Sequence, residues 1–341
     1  MENIVHKVTK RELASFFNST FYQNLENIPF TSLRLNSYLN NPNSQPNDVI
    51  LYYIINNNQI ISYRTLLHDK LFNDKIIVWS SGNWTHPNHR NKGYSSLLFK
   101  EVENDYPQQS IIYTKSIASN KVYQKFNQYR SIIDKDASEL HYNFTILDKK
   151  FPQIVSKLLN LFFKKSSKKI DLNQIKITSK IANINPILFE KNTEDLFPLT
   201  IEKINWITNF PWIATERTNI NEETNYDFSL FDSSFKSDFF TINETGFIYR
   251  NIRKKEYYIH YIFYKTNEDA IAIAKFIINE FNENNLSTII VKDLTIKKLI
   301  KQLQRPIFSK PHKNFLIYHK NLETVICNKK IQNGVGELIF T

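Results

Sequence analysis

The stretch Thr85-His86-Pro87-Asn88-His89-Arg90-Asn91-Lys92-Gly93-Tyr94-Ser95 decides how this chain is read. It lies between an apolar, strand-like run, Lys75 to Trp84, and a helix-like run, Ser95 to Asp105. Pro87 holds His86 extended and closes the strand, and a short basic turn then delivers the chain into a helix. A helix start carries backbone N–H groups with no partner inside the helix, here those from about Lys92 to Ser96. With the positive end of the helix dipole they form a site for a pyrophosphate. Gly93 can take a φ that other residues avoid, and its missing side chain lets phosphate oxygens approach the backbone. Arg90 and Lys92 add counter-charge.

The spacing Thr85-x-Pro87-x-x-Arg90-x-x-Gly93-x-Ser95-x-x-Leu98 resembles motif A of the GCN5-related N-acetyltransferases (GNATs), written V-x-P-x-x-R-x-x-G-x-G/A before an apolar helix. Thr85 and Ser95 are mild departures from it. Downstream, Ile111 to Thr114 reads as a strand, and Ala118-Ser119-Asn120-Lys121-Val122-Tyr123-Gln124-Lys125-Phe126 resembles the family's next segment, N-x-x-A/V-Y-x-x-x-G-F. Asn127-Gln128-Tyr129 replaces the usual Gly-Phe, and asparagine can adopt the left-handed turn that glycine supplies. The specific resemblance spans residues 75 to 126.

This resemblance implies a mixed α/β chain with the GNAT acyl-CoA N-acyltransferase fold, and a reaction in which an amine attacks a thioester without a covalent enzyme intermediate. Acetyl-coenzyme A is the implied co-substrate, held by Trp84, Thr85, Arg90, Asn91, Lys92, Gly93, Tyr94, Ser95, Ser96 and Asn120. A backbone N–H near Asn83 to Thr85 would polarise the thioester carbonyl. Tyr123 matches the tyrosine that protonates the departing thiolate, and Asn120 the asparagine that contacts the pantetheine arm. His86, Glu139 and His141 are the polar candidates for a general base, and no spacing selects among them. Trp79 and Trp84 read as packing residues of one strand.

Composition limits the alternatives. A chain of 341 residues, 41% of them hydrophobic, exceeds the roughly 150 residues of a typical domain, so two domains are expected. The N-terminus has no apolar stretch behind a basic start, and no run approaches the roughly 18 apolar residues of a membrane span; a cytoplasmic protein without a membrane partner is expected. One cysteine, Cys327, excludes an intrachain disulfide framework and a cysteine-based metal cluster, and the eight histidines show no paired metal-ligand spacing. The net charge of +11 is spread out: residues 1 to 150 hold 17 Lys+Arg against 13 Asp+Glu, the remainder 27 against 20. With Asn, Ile, Lys, Phe and Tyr all abundant, that charge reflects composition rather than a nucleic-acid surface. The acceptor expected is a small-molecule amine, acidic or neutral rather than a polyamine.

Hydrophobic periodicity gives alternating strands and helices over residues 1 to 150, including one helix from Lys10 to Asn24, a hairpin around Asn56 to Gln59, and a closing hairpin of Arg130 to Ile133 with Glu139 to Leu147. Residues 151 to 170 read as a linker, amphipathic and then basic at Lys164 to Lys169. From 171 to 341 the order strand, helix, strand, helix, strand recurs, which suggests a degenerate second GNAT-like domain that shapes the acceptor site or forms a homodimer. Its strand-to-helix junction, Tyr264 to Glu268, has neither glycine nor arginine, and Glu268 and Asp269 would repel a pyrophosphate while capping a helix. Transfer of a longer acyl or aminoacyl group, and a coenzyme-A-binding module without turnover, are the competing readings.

Overall fold

Runs rich in Ile, Val, Tyr and Trp, separated by Asn-rich turns, build the first sheet. The computed structural model describes residues 4–114, 123, 125–134, 136–144, 152–162, 170–180, 184, 189, 194–217 and 220–340. Strand β1 (Val5–Thr9) is followed by helices α1 (Leu13–Phe17), α2 (Thr20–Gln23) and α3 (Ser32–Leu39). The single helix expected over residues 10–24 is thus two. Ser19 breaks it, because its hydroxyl accepts from the Tyr22 N–H and caps a new start. Strands β2 (Val49–Asn56) and β3 (Gln59–Lys70) form the expected hairpin, with Asn57 and Asn58 both at positive φ. Strand β4 (Ile76–Thr85) runs antiparallel to β3, and helix α4 (Tyr94–Asp105) carries the chain across to β5 (Ser110–Thr114), parallel to β4.

The remaining elements are β6 (Tyr129–Asp134), β7 (Ser138–His141), α5 (Gln153–Phe162), β8 (Ile177–Thr178), α6 (Ile201–Asn209), α7 (Ile220–Asn225), β9 (Lys236–Ile242), β10 (Gly246–Arg253), β11 (Glu256–Phe263), α8 (Asn267–Glu283), β12 (Thr288–Val291), α9 (Leu294–Leu303), β13 (Phe308–Pro311), β14 (Asn314–His319) and α10 (Glu323–Cys327). The first sheet has the order β1-β2-β3-β4-β5-β14-β6, the second β13-β7-β12-β11-β10-β9-β8. Strand β9 escaped the sequence reading, and the basic run Lys164 to Lys169 lies outside the described residues.

The expected closing hairpin does not form. β6 stays in the first sheet, whereas β7 crosses to the second, and β14 from the far end of the chain takes the place beside β6. All six residues of β14 are buried, and its register runs from Asn314 opposite Asp134 to His319 opposite Tyr129. In the second sheet Leu140 of β7 joins the apolar core, while Glu139 accepts hydrogen bonds from His141 at 3.1 Å, His312 at 2.9 Å and Lys310 at 2.9 Å. Alternation within a strand says which face is apolar; it does not say which strand lies alongside.

One apolar cluster joins the halves, with Trp79 of β4, Trp206 of α6, Tyr249 and Tyr261 of the second sheet, and Phe340 near the C-terminus. Lys203 of α6 pairs with Asp69 of β3 at 2.9 Å, both nearly fully buried. The C-terminal 3-10 turn Gly336–Phe340 packs on β3 and β4. Gly336 sits there at φ 58, and a Cβ on it would lie 2.9 Å from the Trp79 ring.

Two measurements test this packing. Gly336→Ala combines a left-handed backbone with a clash against a buried indole, so thermal unfolding should report a loss of about 1–3 kcal/mol. Burial works to raise the Glu139 pKa, but the hydrogen bonds from His141, His312 and Lys310 outweigh it and hold the carboxylate well below its ordinary range. A depressed folded-state pKa stabilises above the unfolded value and is lost on acidification. Glu139→Gln should therefore lower Tm at pH 7, and the gap from wild type should close progressively below about pH 4.3. A gap that is constant with pH would assign Glu139 no ionic role.

Candidate active site

β4 carries an extra residue where the site begins. Arg64 lies opposite Asn83 and Thr65 opposite Ser81, so Gly82, at φ 47, bulges from the ladder. Five residues apart, Trp79 and Trp84 would face opposite ways on a regular strand; the bulge turns both into the same core cluster, where Trp84 stacks on Tyr63 at 5.4 Å. Their packing role stands, and only the backbone of Trp84 remains for a ligand. On the other edge, β5 pairs with β4 only at Val78–Ser110 and Trp79–Ile111. Beyond Trp79 the two strands diverge, and a cleft of about 370 Å³ opens between Ser80, Gly82 and Asn83 on one side and Ile112, Thr114 and Tyr123 on the other.

At the end of β4 the turn is folded on itself. His86 accepts from the Asn88 N–H through Nδ1 at 3.2 Å, and Arg90 Nε donates to the Thr85 carbonyl at 3.2 Å. Asn91 is left-handed at φ 62, and Gly93 caps α4 at φ 83 with nothing within 4 Å of where a Cβ would stand. The backbone N–H groups of Lys92, Gly93, Tyr94 and Ser95 have no acceptor among the described residues, whereas that of Ser96 returns to the Gly93 carbonyl at 3.0 Å. The side chains of Arg90, Asn91, Lys92 and Ser96 are exposed. Open amides, a helix dipole and flanking cations in an uncrowded turn make a seat for a phosphate group.

Arg64 of β3, only 1% exposed, underlies the cleft. Its Nη1 donates to the Tyr123 hydroxyl at 3.1 Å and to Ser80, its Nη2 donates to Ser95 Oγ at 3.3 Å, and the guanidinium lies 5.2 Å from the Phe99 ring. No carboxylate pairs with it among the described residues. The Ser95 hydroxyl, standing where the motif has glycine or alanine, also meets Asn83 Nδ2 at 3.2 Å, and so ties the start of α4 to both β3 and β4. Because the Tyr123 oxygen accepts from Arg64, its own hydrogen remains available to another acceptor. An arginine inside the otherwise apolar run from Ile60 to Leu67 was the signal for this residue in the sequence.

The opposite wall comes from elements remote in sequence. Glu337, in the C-terminal turn, accepts from Ser81 Oγ at 2.5 Å and lies 3.5 Å from Arg34 Nη2. Arg34 is buried, sits 3.8 Å above the Trp212 ring, and donates to the Tyr226 hydroxyl. Burial pushes the Tyr226 phenol up to about 12 against the opposing pull of Arg34, so it stays protonated at neutral pH. Glu337 is 38% exposed and lines the same cleft as Tyr123. Of the base candidates taken from sequence, His86 caps the turn, and Glu139 with His141 belongs to the second sheet; none of the three lines this cleft. Asn120 lies outside the described residues. The corresponding helix start in the second half is closed by its own side chains: Thr266 and Asp269 form a reciprocal cap at the start of α8.

Neither a family model nor a curated protein matches this sequence. Solved structures do. A conserved protein of unknown function from Enterococcus faecalis V583, called a probable N-acyltransferase, matches with a TM-score of 0.52 at 14% identity, over 96% of this chain and 75% of that one. Saccharomyces cerevisiae N-myristoyltransferase with bound myristoyl-CoA matches with a TM-score of 0.50 at 12% identity, over 85% and 70%. A GCN5-related N-acetyltransferase from Kribbella flavida gives 0.46 at 7% identity, over 96% and 74%. The first two of these likenesses show the fold: the chain has the GNAT acyl-CoA N-acyltransferase fold, in a form with two mixed sheets.

Proposed function

We propose that the protein is an acyl-CoA-dependent N-acyltransferase that moves an acetyl group to a primary amine of a small molecule by direct attack in a ternary complex. The observation that carries this reading is that three features adjoin: open amides at Lys92 to Ser95, a β4 edge unpaired beyond Trp79, and Tyr123 held by Arg64, tied together by the Ser95 hydroxyl, which meets both Arg64 and Asn83 of the cleft wall. The turn receives the pyrophosphate of the donor, with Arg90 and Lys92 as counter-charge. The β4 edge offers backbone N–H groups to the thioester carbonyl.

The acceptor enters from the side of Glu337, Arg34 and Trp212. Glu337 takes the proton that the nitrogen must lose, the nitrogen attacks the carbonyl carbon, the carbon–sulfur bond breaks, and Tyr123 passes its hydrogen to the departing sulfur. One proton leaves nitrogen and one arrives at sulfur, so the transfer balances. Arg64 holds the Tyr123 oxygen in place throughout. The divergent helix start at Thr266 gives the second half no comparable seat, which supports a single donor site, with the C-terminal half closing the acceptor side.

Calorimetric titration with acetyl-CoA and myristoyl-CoA tests the donor site and its acyl length together. Acetyl-CoA should bind in about the micromolar range, and an Arg90→Ala, Gly93→Glu double variant should bind at least roughly tenfold more weakly while keeping its circular dichroism. A folded wild type that binds neither donor sinks the proposal, and preference for myristoyl-CoA replaces acetyl with a long acyl group. With an active acceptor, Tyr123→Phe and Glu337→Gln should each lower kcat by roughly 10²-fold or more with donor affinity retained. Full turnover by either variant would remove that residue from the chemistry, and donor binding without turnover on any amine would favour the binding-module reading.

A further inference from the structure

The cleft does not end at Glu337. A second pocket of about 230 Å³ adjoins it and shares Ser229, Arg253 and Leu338 with it. This pocket lies on the β10–β11 hairpin of the second sheet, so the continuous space runs from the sheet that holds the donor turn to the other one. Arg253 stands at the junction. Its Nε lies 3.4 Å from Asp232 Oδ2, which anchors the stem, and its two terminal amino groups have no protein partner among the described residues. Asn251, 1% exposed, lines the same pocket; its Nδ2 donates to the Ile339 carbonyl at 3.1 Å, but its Oδ1 is buried without a partner. The terminal nitrogens of a half-buried guanidinium held only through Nε are donors a ligand in the pocket can use.

The charges facing this pocket are Arg253, Lys254 and Glu256, and His260 lines it as well. Glu256 stands opposite Arg253 across the hairpin, yet it forms no ion pair with it among the described residues. At this end Arg253 and Lys254 stand with the carboxylates Asp232 and Glu256, and at the other end Glu337 stands with Arg34, so the ends differ in the group each turns to the space, the terminal nitrogens of Arg253 at one and the half-exposed carboxylate of Glu337 at the other. We infer that the acceptor is an amine carrying an anionic group at its far end, the amine at Glu337 and the anion, a carboxylate in the simplest case, on the guanidinium of Arg253. Arg253 fits a planar acid by donating two parallel hydrogen bonds from its terminal nitrogens. This inference rests on the acyltransferase reading for the identity of the amine, but the pocket's preference for an acid can be measured without turnover.

The test is calorimetric binding of ω-amino acids of three to eight carbons, each paired with the n-alkylamine of the same length, to wild type, Arg253→Ala and Arg253→Lys, with coenzyme A titrated separately. The best ω-amino acid should bind at least roughly tenfold tighter than its amine, with that ratio falling below about threefold in Arg253→Ala and partly restored in Arg253→Lys. Equal binding of acid and amine by the wild type, no binding of either, or a ratio unchanged in Arg253→Ala would overturn it. Loss of coenzyme A binding with acid discrimination intact would instead count against the donor site alone and leave the anion pocket standing.

Discussion

The hydrogen-bonded ladder that β14 makes between β5 and β6 is the constraint on which the rest of this structure depends. It brings the last part of the chain into the first sheet, next to the strand that diverges from β4. From β14 the chain passes through α10 and returns over β3 and β4, where Gly336 lies against Trp79 and Glu337 meets Ser81. The Glu337 carboxylate thereby meets a serine 256 positions earlier in the chain. The reciprocal crossing of β7 gives the second sheet its partner for β12 and β13, so neither sheet is complete without a strand from the other half. Two halves joined in this way cannot separate without breaking four strand pairings, β5–β14, β6–β14, β7–β12 and β7–β13, a cost that unpaired backbone groups make large.

Within that frame, buried guanidinium groups divide by what they face. Arg250 in the second sheet is ordinary: Asp238 at 2.6 Å and Glu280 at 3.0 Å neutralise it. Arg34 has Glu337 at 3.5 Å and leans on the face of Trp212, which offsets part of its desolvation. Arg64 is as deeply buried as Arg250 and, among the described residues, meets hydroxyls, those of Ser80, Ser95 and Tyr123, with the Phe99 ring nearby. A structural arginine would have been paired, because an unpaired buried charge is among the most expensive features a fold can carry. Through Ser95, Arg64 reaches the start of α4, where four backbone amides are open among the described residues, so positive potential is concentrated there.

Much of this was legible beforehand because it is local. The turn at Arg90 to Ser95 depends on a proline, a glycine and the start of an amphipathic helix, all within a dozen residues, and Gly93 takes the left-handed conformation that the sequence required. Helix α3 and the Asn57-Asn58 hairpin follow from short-range capping and turn chemistry in the same way. The Ser19 break in the first helical stretch was equally local, but it was hidden by an apolar pattern that continued through it. Arg64 was visible only as an oddity, a charge inside an apolar strand, with nothing nearby in sequence to say what it touched.

By itself, then, the sequence determined most of the elements, the glycine turn before α4 and the likeness of its motif, since each is set by interactions between residues a few positions apart. It did not determine the partners of β6, β7 and β14, and the hairpin expected between β6 and β7 does not form, because the two-residue alternation of a strand defines a buried face and is silent on which edge it joins. Tertiary structure alone decided those pairings, and with them the meeting of Tyr123 and Glu337 across one cleft and the continuation of that cleft to Arg253. These groups come from segments as distant as residues 123, 253 and 337, and only the burial of the shared core around Trp79, Trp206 and Phe340 brings them together.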